Sequence, residues 1–322
     1  MDRAPRHCAR VLTEADQTTI LHAMLLLMLK ALCKVLGWLP LPSALALGRG
    51  LGWFYGHVIR HRRHDAWEAL RFSFPEKSNT ERRRILDTMY LNLGMNVVEE
   101  FRLLSMSNDY LENYITWEND QTIRDVLVAG KGLLVLTGHM GNWDLLCSIA
   151  PKFNYPTTII TKKIKNRAIN ALWMDVRSRF GLRFVPAHNS YRQCLTALRH
   201  NEIVGFAIDQ NMIDTEGVFV DFFGKPACTT PGLAFMSAQS DSAVVPVFML
   251  RGTDGRHVVK TCEAIPPPPD RKPETILEYT QRYTKVMEDI IREYPDQWIW
   301  IHRRWKTQPK AEQGGLRSTK AK

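Results

Sequence analysis

The chain has 322 residues, 45% hydrophobic and 24% charged, enough to bury a large core in one sizeable α/β domain or two modest ones. Its formal net charge of +10 points to an acidic partner, whether an anionic lipid surface, a nucleic acid or an acidic protein, and does not choose among them. Six scattered cysteines, with no C-x-x-C and no zinc spacing, exclude a disulfide scaffold and argue for a reducing compartment and no structural metal.

Residues 1–19 are polar and patternless, the mark of a flexible tail. From Ile20 to Trp38 the composition turns apolar, interrupted by Lys30 and Lys34. The uncharged core is shorter than the ~20 residues a spanning helix needs. No small-residue cleavage site follows, as a secretory signal would require. The segment reads as a helix anchored in or lying along one leaflet with its lysines at the headgroups, against the alternative of an ordinary core helix. After Pro40 and Pro42, Ala44–Ile59 gives a second apolar helix, ended by the cluster Arg60-His61-Arg62-Arg63-His64. That cluster suits a cytoplasmic membrane surface, and equally a solvated helix end. Residues 20–63 are thus a membrane-associating leader to an α/β domain over 64–306.

Ser78-Asn79-Thr80-Glu81 is a capping box, and Ile85, Met89, Leu93, Val97, Phe101 and Leu104 recur at helical spacing behind it. Beyond it, strand patterns at Leu133–Thr137, Thr157–Thr161, Arg183–Pro186, Ile203–Ile208, Ala243–Leu250 and His257–Cys262 are interleaved with helical stretches. These helices fall at Asn142–Ala150, Asn166–Phe180, Tyr191–Arg199 and Pro231–Ser240. The alternation predicts a largely parallel central sheet flanked by helices. The turn signal Thr253-Asp254-Gly255-Arg256 makes the last two strands an antiparallel hairpin at a sheet edge. A final helix spans Glu274–Tyr294, an aromatic and basic segment follows to Trp305, and 307–322 reads as a disordered tail.

Chemistry concentrates at Gly138-His139-Met140-Gly141-Asn142-Trp143-Asp144, directly after the apolar run Leu133–Thr137. His139 therefore stands at the carboxyl end of a buried strand, where ligands bind in open α/β sheets. A lone histidine there is as readily a helix cap. The flanking glycines clear space, and Asp144 offers an orienting partner. An ideal helix would turn Asp144 about 140° away from His139, so the two meet only if His139 lies in the loop before the first turn. Asp209, after the strand Ile203–Ile208, is a rival acid at a second strand end, and which of the two orients His139 stays open.

The chain resembles the lipid A biosynthesis acyltransferases, the late lauroyl and myristoyl transferases, within the wider H-x4-D/E glycerolipid acyltransferase superfamily. The matching pieces are Gly138–Asp144, Lys162–Asn166, Asp209-Gln210, Val218–Gly224 with Thr229–Gly232, and Gln297–Trp305, spread over roughly residues 20–306. The resemblance implies a glycerolipid acyltransferase-like fold and transfer of a fatty acyl chain from a thioester on acyl carrier protein to a hydroxyl of a membrane glycolipid. It implies the cytoplasmic face of a bacterial inner membrane, with no metal, nucleotide or other cofactor and no nucleic acid. A sugar hydroxyl needs a base, for which His139 is the candidate, with Asp144 as the motif acid and Asp209 as a second catalytic acid.

The resemblance further implies substrate contacts from Asn142, Lys162, Lys163, Asn166, Gln210, Phe223, Gly224, Thr229, Thr230, Arg303 and Arg304. Relatives tend to have an arginine where this chain has Lys162 or Lys163, which bears on the acceptor more than on the reaction. These lysines would supply an oxyanion donor, or form only a solvated basic loop. Phe222-Phe223-Gly224 and Thr229-Thr230 precede a helix whose free amides would hold a phosphate or the thioester oxygen, or the phenylalanines are core. Arg303 and Arg304 would grip headgroup phosphates, or belong to an interfacial aromatic belt. The same chemistry on a lysophospholipid, an ornithine-type lipid or a phosphoinositol mannoside is an alternative. So is a non-catalytic basic protein on membranes or nucleic acid, although there is no stacking platform, P-loop or dinucleotide fingerprint.

Overall fold

Leu133–Thr137 forms β2, the strand on which the arrangement turns, in a computed structural model that describes residues 14–106, 111, 113–150, 154–162, 164–178, 181–186 and 190–309. The further strands are β1 (Ile115–Glu118), β3 (Thr157–Thr161), β4 (Arg183–Pro186), β5 (Ile203–Ala207), β6 (Val218–Phe222), β7 (Lys225–Thr229), β8 (Val244–Arg251) and β9 (His257–Thr261). Seven of them make one sheet in the order β1-β9-β8-β2-β5-β3-β4. The run from β8 to β4 is parallel, β9 is antiparallel to β8, and β1 is parallel to β9.

The expected α/β fold with a largely parallel sheet is present. The β8–β9 hairpin is also present, but it is not the edge, because β1 pairs outside β9. Four residues with one buried side chain gave the sequence too little alternation to show β1.

Both faces of the sheet are covered, and side-chain alternation divides the core accordingly. Leu134, Leu136, Phe248 and Leu250 belong to one apolar cluster, and Leu133, Val245, Val247 and Met249 to the other. The first is closed by residues of α8 (Tyr191–Arg199), α9 (Gly232–Ser240) and α10 (Pro273–Glu293). The second is closed from α5 (Gln121–Val128), α6 (Trp143–Ile149) and α7 (Arg167–Ser178).

Ahead of the sheet lie α1 (Glu14–Trp38), α2 (Leu41–Phe54), a π-helical turn at Tyr55–Ile59, α3 (Arg63–Ser73) and α4 (Asn79–Arg102). The capping box of α4 forms as expected, with the Glu81 amide donating to Ser78 Oγ at 3.2 Å and the Ser78 amide to Glu81 Oε2 at 2.8 Å. α2 and α4 cross backbone against backbone: a Cβ at Gly52 would lie 2.8 Å from Leu91 Cα, and one at Gly94 would lie 2.7 Å from Gly52 Cα. Helix α1 begins at Glu14, earlier than the apolar run, and its carboxyl end is held by Arg102, which donates to the Leu36 and Leu39 carbonyls at 2.5 and 2.7 Å.

Only 11% of Ile20–Trp38 is buried, so an ordinary core helix does not describe it. Among the described residues it is the one helix long and apolar enough to cross a membrane. The basic cluster does not simply end a helix: Arg60 and Arg62 take left-handed conformations that turn the chain into α3. Arg63 then pairs with Asp87 of α4.

Candidate active site

β2 and β5 are neighbours, with Thr137 opposite Ala207, so the residues that follow each strand emerge side by side at the carboxyl edge. This register brings His139 to Asp209. The His139 backbone amide donates to Asp209 Oδ2 at 2.9 Å, and the ring Nδ1 lies 2.9 Å from Oδ1. Trp298 Nε1 donates to Oδ2, also at 2.9 Å. Three donors around one carboxylate explain how Asp209, with its side chain 1% exposed, stays charged. Burial alone would raise its carboxyl; the His139 ring, the His139 amide and Trp298 outweigh that and hold it well below the usual range. Burial would lower the imidazole, but Asp209 prevails and raises it above its ordinary value.

With Nδ1–H directed at Asp209, the Nε2 lone pair points outward. Gln210 Nε2 approaches it at 3.0 Å. The exposed Gln210 amide thus covers the outward nitrogen of the ring.

The loop carrying His139 is fastened from three sides. Gly141 N–H donates to the Gln297 carbonyl at 2.8 Å, Asn96 Nδ2 to the Gly141 carbonyl at 2.5 Å, and Ile299 N–H to the His139 carbonyl at 3.2 Å. Gly141 has φ +54°, and a Cβ there would run into the Met249 carbonyl, so the glycine serves the protein's own backbone instead of making room for a ligand. Beneath the loop, Glu99 accepts from both terminal nitrogens of Arg251 at 2.6 Å, from Asn142 Nδ2 at 2.7 Å and from Tyr114 at 3.1 Å. His257 Nε2 lies 3.2 Å away. Burial pushes the Glu99 carboxyl up, but His257 and Arg251 reverse that and hold it far below its usual range.

Asp144 is not the partner of His139. It opens α6, where the helical turn carries it away from the ring, and its carboxylate meets the buried guanidinium of Arg177 on α7. Arg177 also donates to Thr161 Oγ1 at 3.2 Å and lies over the Trp173 ring at 4.6 Å.

Next to this pair an apolar cavity of about 200 Å³ opens between α1, α4, α6 and α7, lined by Leu29, Val97, Phe101, Trp143, Leu172 and Val176 among others. The Trp143 ring is 5.2 Å from that of His139, so the cavity begins one side chain away from the candidate base.

A model of the bacterial lipid A biosynthesis acyltransferase family matches residues 14–307 of this sequence. The chain belongs to that family.

Among relatives of this acyltransferase, the lipid A biosynthesis lauroyltransferase of Escherichia coli K12 is 27% identical over 279 residues, covering 84% of this chain and 88% of its own. The palmitoleoyltransferase of the same organism is 26% identical over 284 residues, covering 85% and 88%. Two relatives named for different chains match almost equally well, so overall similarity does not carry chain length. The crystal structure of a 1-acyl-sn-glycerophosphate acyltransferase from Thermotoga maritima aligns with 85% of this chain and 98% of its own, at 14% identity and a TM-score of 0.36.

The substrate contacts expected from the acyltransferase resemblance divide by place. Gln210 is at the His139 ring, and Lys162 is exposed past the end of β3, at the same sheet edge. Lys163 lies outside the described residues. Asn142 is buried and committed: its carbonyl oxygen caps α6 through the Leu145 amide at 3.0 Å, and its NH2 holds Glu99. Asn166 caps α7, accepting from Ala168 and Ile169 amides at 3.0 and 3.1 Å.

Phe223 and Gly224 do not lead into a helix. They are the two-residue turn of the β6–β7 hairpin, both with positive φ, of 57° and 74°. Phe223 is buried against Phe74, with ring centroids 5.5 Å apart, so it is core. Thr230 Oγ1 accepts the Gly232 amide at 3.2 Å, and Thr229 is fully buried. Arg304 is buried too, donating to the Cys228 carbonyl at 2.7 Å and to Thr229 Oγ1, with its guanidinium lowered to about 10 by desolvation. It ties the carboxyl-terminal segment to β7 and offers nothing to a headgroup. Arg303 is exposed and pairs with Asp65 at 2.9 Å.

Residues that sequence reasoning left without a role include Trp298, Glu99, Arg251 and Arg177. Trp298 stood in a matching motif, but nothing in its spacing from Asp209 signals a bond across 89 positions.

Proposed function

We propose that the protein transfers a fatty acyl chain from the thioester of acyl carrier protein to a hydroxyl of a lipid A precursor, at the cytoplasmic face of a bacterial inner membrane. The observation that carries the reading is the His139–Asp209 pair with its outward Nε2. The acceptor hydroxyl displaces Gln210 and hydrogen-bonds to His139 Nε2. As its oxygen attacks the thioester carbonyl, the proton passes to Nε2, and Asp209 stabilises the imidazolium. The tetrahedral oxyanion then collapses, the carbon–sulfur bond breaks, and the thiolate leaves with the proton that His139 returns. No acyl-enzyme forms, and the reading calls on no metal or nucleotide.

Family membership supports the acyl chemistry, and the names of the relatives support the acceptor. The apolar cavity beside Trp143 suits a hydrocarbon tail. Exposed Lys162, Lys165 and Arg167 form a basic rim at the sheet edge for an acidic carrier protein. Residues 20–63 are assigned to membrane attachment, and 64–306 to the catalytic unit. Purified protein incubated with acyl carrier protein thioesters and a lipid A precursor lacking secondary chains should yield a product heavier by one acyl chain. No such product from the wild-type protein, with carrier and acceptor intact, would overturn the assignment.

A further inference from the structure

His302 stands in the last segment, and its ring reaches the turn after β5, where Asp209, Gln210 and Asn211 follow one another. We propose that His302 is a positioning residue for the transfer: through Asn211 it holds this turn so that the Gln210 side chain donates to the thioester carbonyl oxygen as the acceptor attacks. This rests on the acyl-transfer reading above.

The Asn211 amide donates to His302 Nε2 at 2.8 Å, so that nitrogen carries a lone pair and the ring is neutral with its proton on Nδ1. Burial disfavours the charged ring. The Asp209 carboxylate opposes this, His139, Arg304 and Arg62 reinforce it, and the ring stays below the ordinary histidine pKa. The Asn211 side chain is tied to the same segment: its Nδ2 donates to Thr307 Oγ1 at 2.9 Å, and its Oδ1 accepts the Thr307 amide at 3.0 Å. The segment is itself fixed on either side of His302. The Ile299 amide holds the His139 carbonyl, and Arg304 holds the Cys228 carbonyl of β7.

Gln210 depends on this hold more than Asp209 does. Asp209 has three donors of its own, whereas among the described residues the exposed Gln210 side chain bonds to the His139 ring alone. Its Nε2 lies 3.0 Å from His139 Nε2 and 3.4 Å from Nδ1, so the amide stands over one side of the ring. A hydroxyl bound at Nε2 brings the carbon it attacks, and the oxygen on that carbon, beside this NH2. As the new carbon–oxygen bond forms, the carbonyl π pair moves onto its oxygen, and Gln210 donates a hydrogen bond there while keeping its proton. On collapse the pair returns, the carbon–sulfur bond breaks, and the thiolate takes the proton held by His139.

The test uses the full chain in detergent with acyl carrier protein thioesters and a lipid A precursor. Gln210→Ala should lower kcat by about 10²-fold or more, with KM for both substrates within about twofold of wild type. His302→Phe should lower kcat by about 10- to 10²-fold with the same split, and His302→Gln, whose Oε1 accepts the Asn211 amide, should return to within about threefold of wild type. Added to Gln210→Ala, His302→Phe should lower kcat by less than about threefold more, because both act through one side chain. A second readout needs no transfer: carbethoxylation of His139 by diethyl pyrocarbonate, followed by peptide mass spectrometry. Either substitution should speed it several-fold, and the two together no more than Gln210→Ala alone.

Should His302→Phe fail to fold by circular dichroism, Asn211→Ala, which unties the same turn from Thr307, should show the kcat loss and the non-additivity in its place. Losses that multiply in full, a His302→Gln variant no better than His302→Phe, a raised KM at unchanged kcat, or carbethoxylation that stays at the wild-type rate would overturn the inference. Wild-type protein that transfers no chain but shows the carbethoxylation pattern would overturn the reaction and support the positioning of Gln210 by His302.

Discussion

At the scale of single residues, the site is a histidine whose tautomer is fixed by a carboxylate from the neighbouring strand. Replacing His139 with alanine removes the proposed base and should lower turnover by about 10²- to 10⁴-fold, measured as initial rates of acyl transfer. The pH dependence follows from direction alone. A general base works only when neutral, and Asp209 raises the His139 pKa, so activity should fall on the acid side at a pH above the free imidazole value of ~6.5. Asp209→Asn removes that carboxylate. The acid limb of kcat/KM should then move to lower pH while the maximum falls; a limb that stays in place would show that another group titrates.

At this scale the sequence disclosed His139, because a glycine-flanked histidine after a buried strand is a local pattern. It left Asp144 and Asp209 as rivals, since the choice depends on where α6 begins its first turn. It gave no view of Trp298, whose indole reaches Asp209 only through the tertiary path of the last segment.

At the scale of elements, the loop after β2 is held by a buried charge network joining α4, β8 and β9 through Glu99, Arg251 and His257. Arg251→Met would leave the Glu99 carboxylate buried without its main counter-ion and should cost about 3–5 kcal/mol in unfolding free energy, read from denaturant curves. Because the Glu99 carboxyl is depressed in the folded protein, its contribution is complete above the unfolded carboxyl range of ~4.3 and is lost as pH falls toward the folded value. Wild-type stability should therefore drop more steeply with acid than that of the variant.

Most parallel strands were legible, because a strand buried on both faces is a continuous apolar run. The β6–β7 hairpin was not. Its turn is Phe223-Gly224, and a phenylalanine with positive φ carries no turn signature; it is tolerated because the ring is buried among aromatics and its amide donates to Glu288 at 2.6 Å.

At the scale of the whole molecule, an apolar helix with a bare outer face stands beside the catalytic sheet. Leu21, Leu27 and Met28 are each about two-thirds exposed, and Trp38 more so. With a net charge of +10, the protein should sediment with vesicles containing anionic phospholipid. Leu27→Glu combined with Met28→Glu should abolish most of that sedimentation while leaving the unfolding midpoint within experimental scatter. Retained binding by this variant would place the attachment elsewhere. Composition made this apolar helix visible from sequence. Its contact with the cavity through Leu29 was hidden, because it depends on how α1 lies against α7.

The bond from Trp298 to Asp209 also ties the fate of the pair to a distant stretch of chain. The segment after α10 supplies one of the three donors to the acid, through Trp298, and holds the His139 carbonyl through the Ile299 amide. Damage to that segment therefore reaches both members of the pair at once, although it is remote from each of them in sequence.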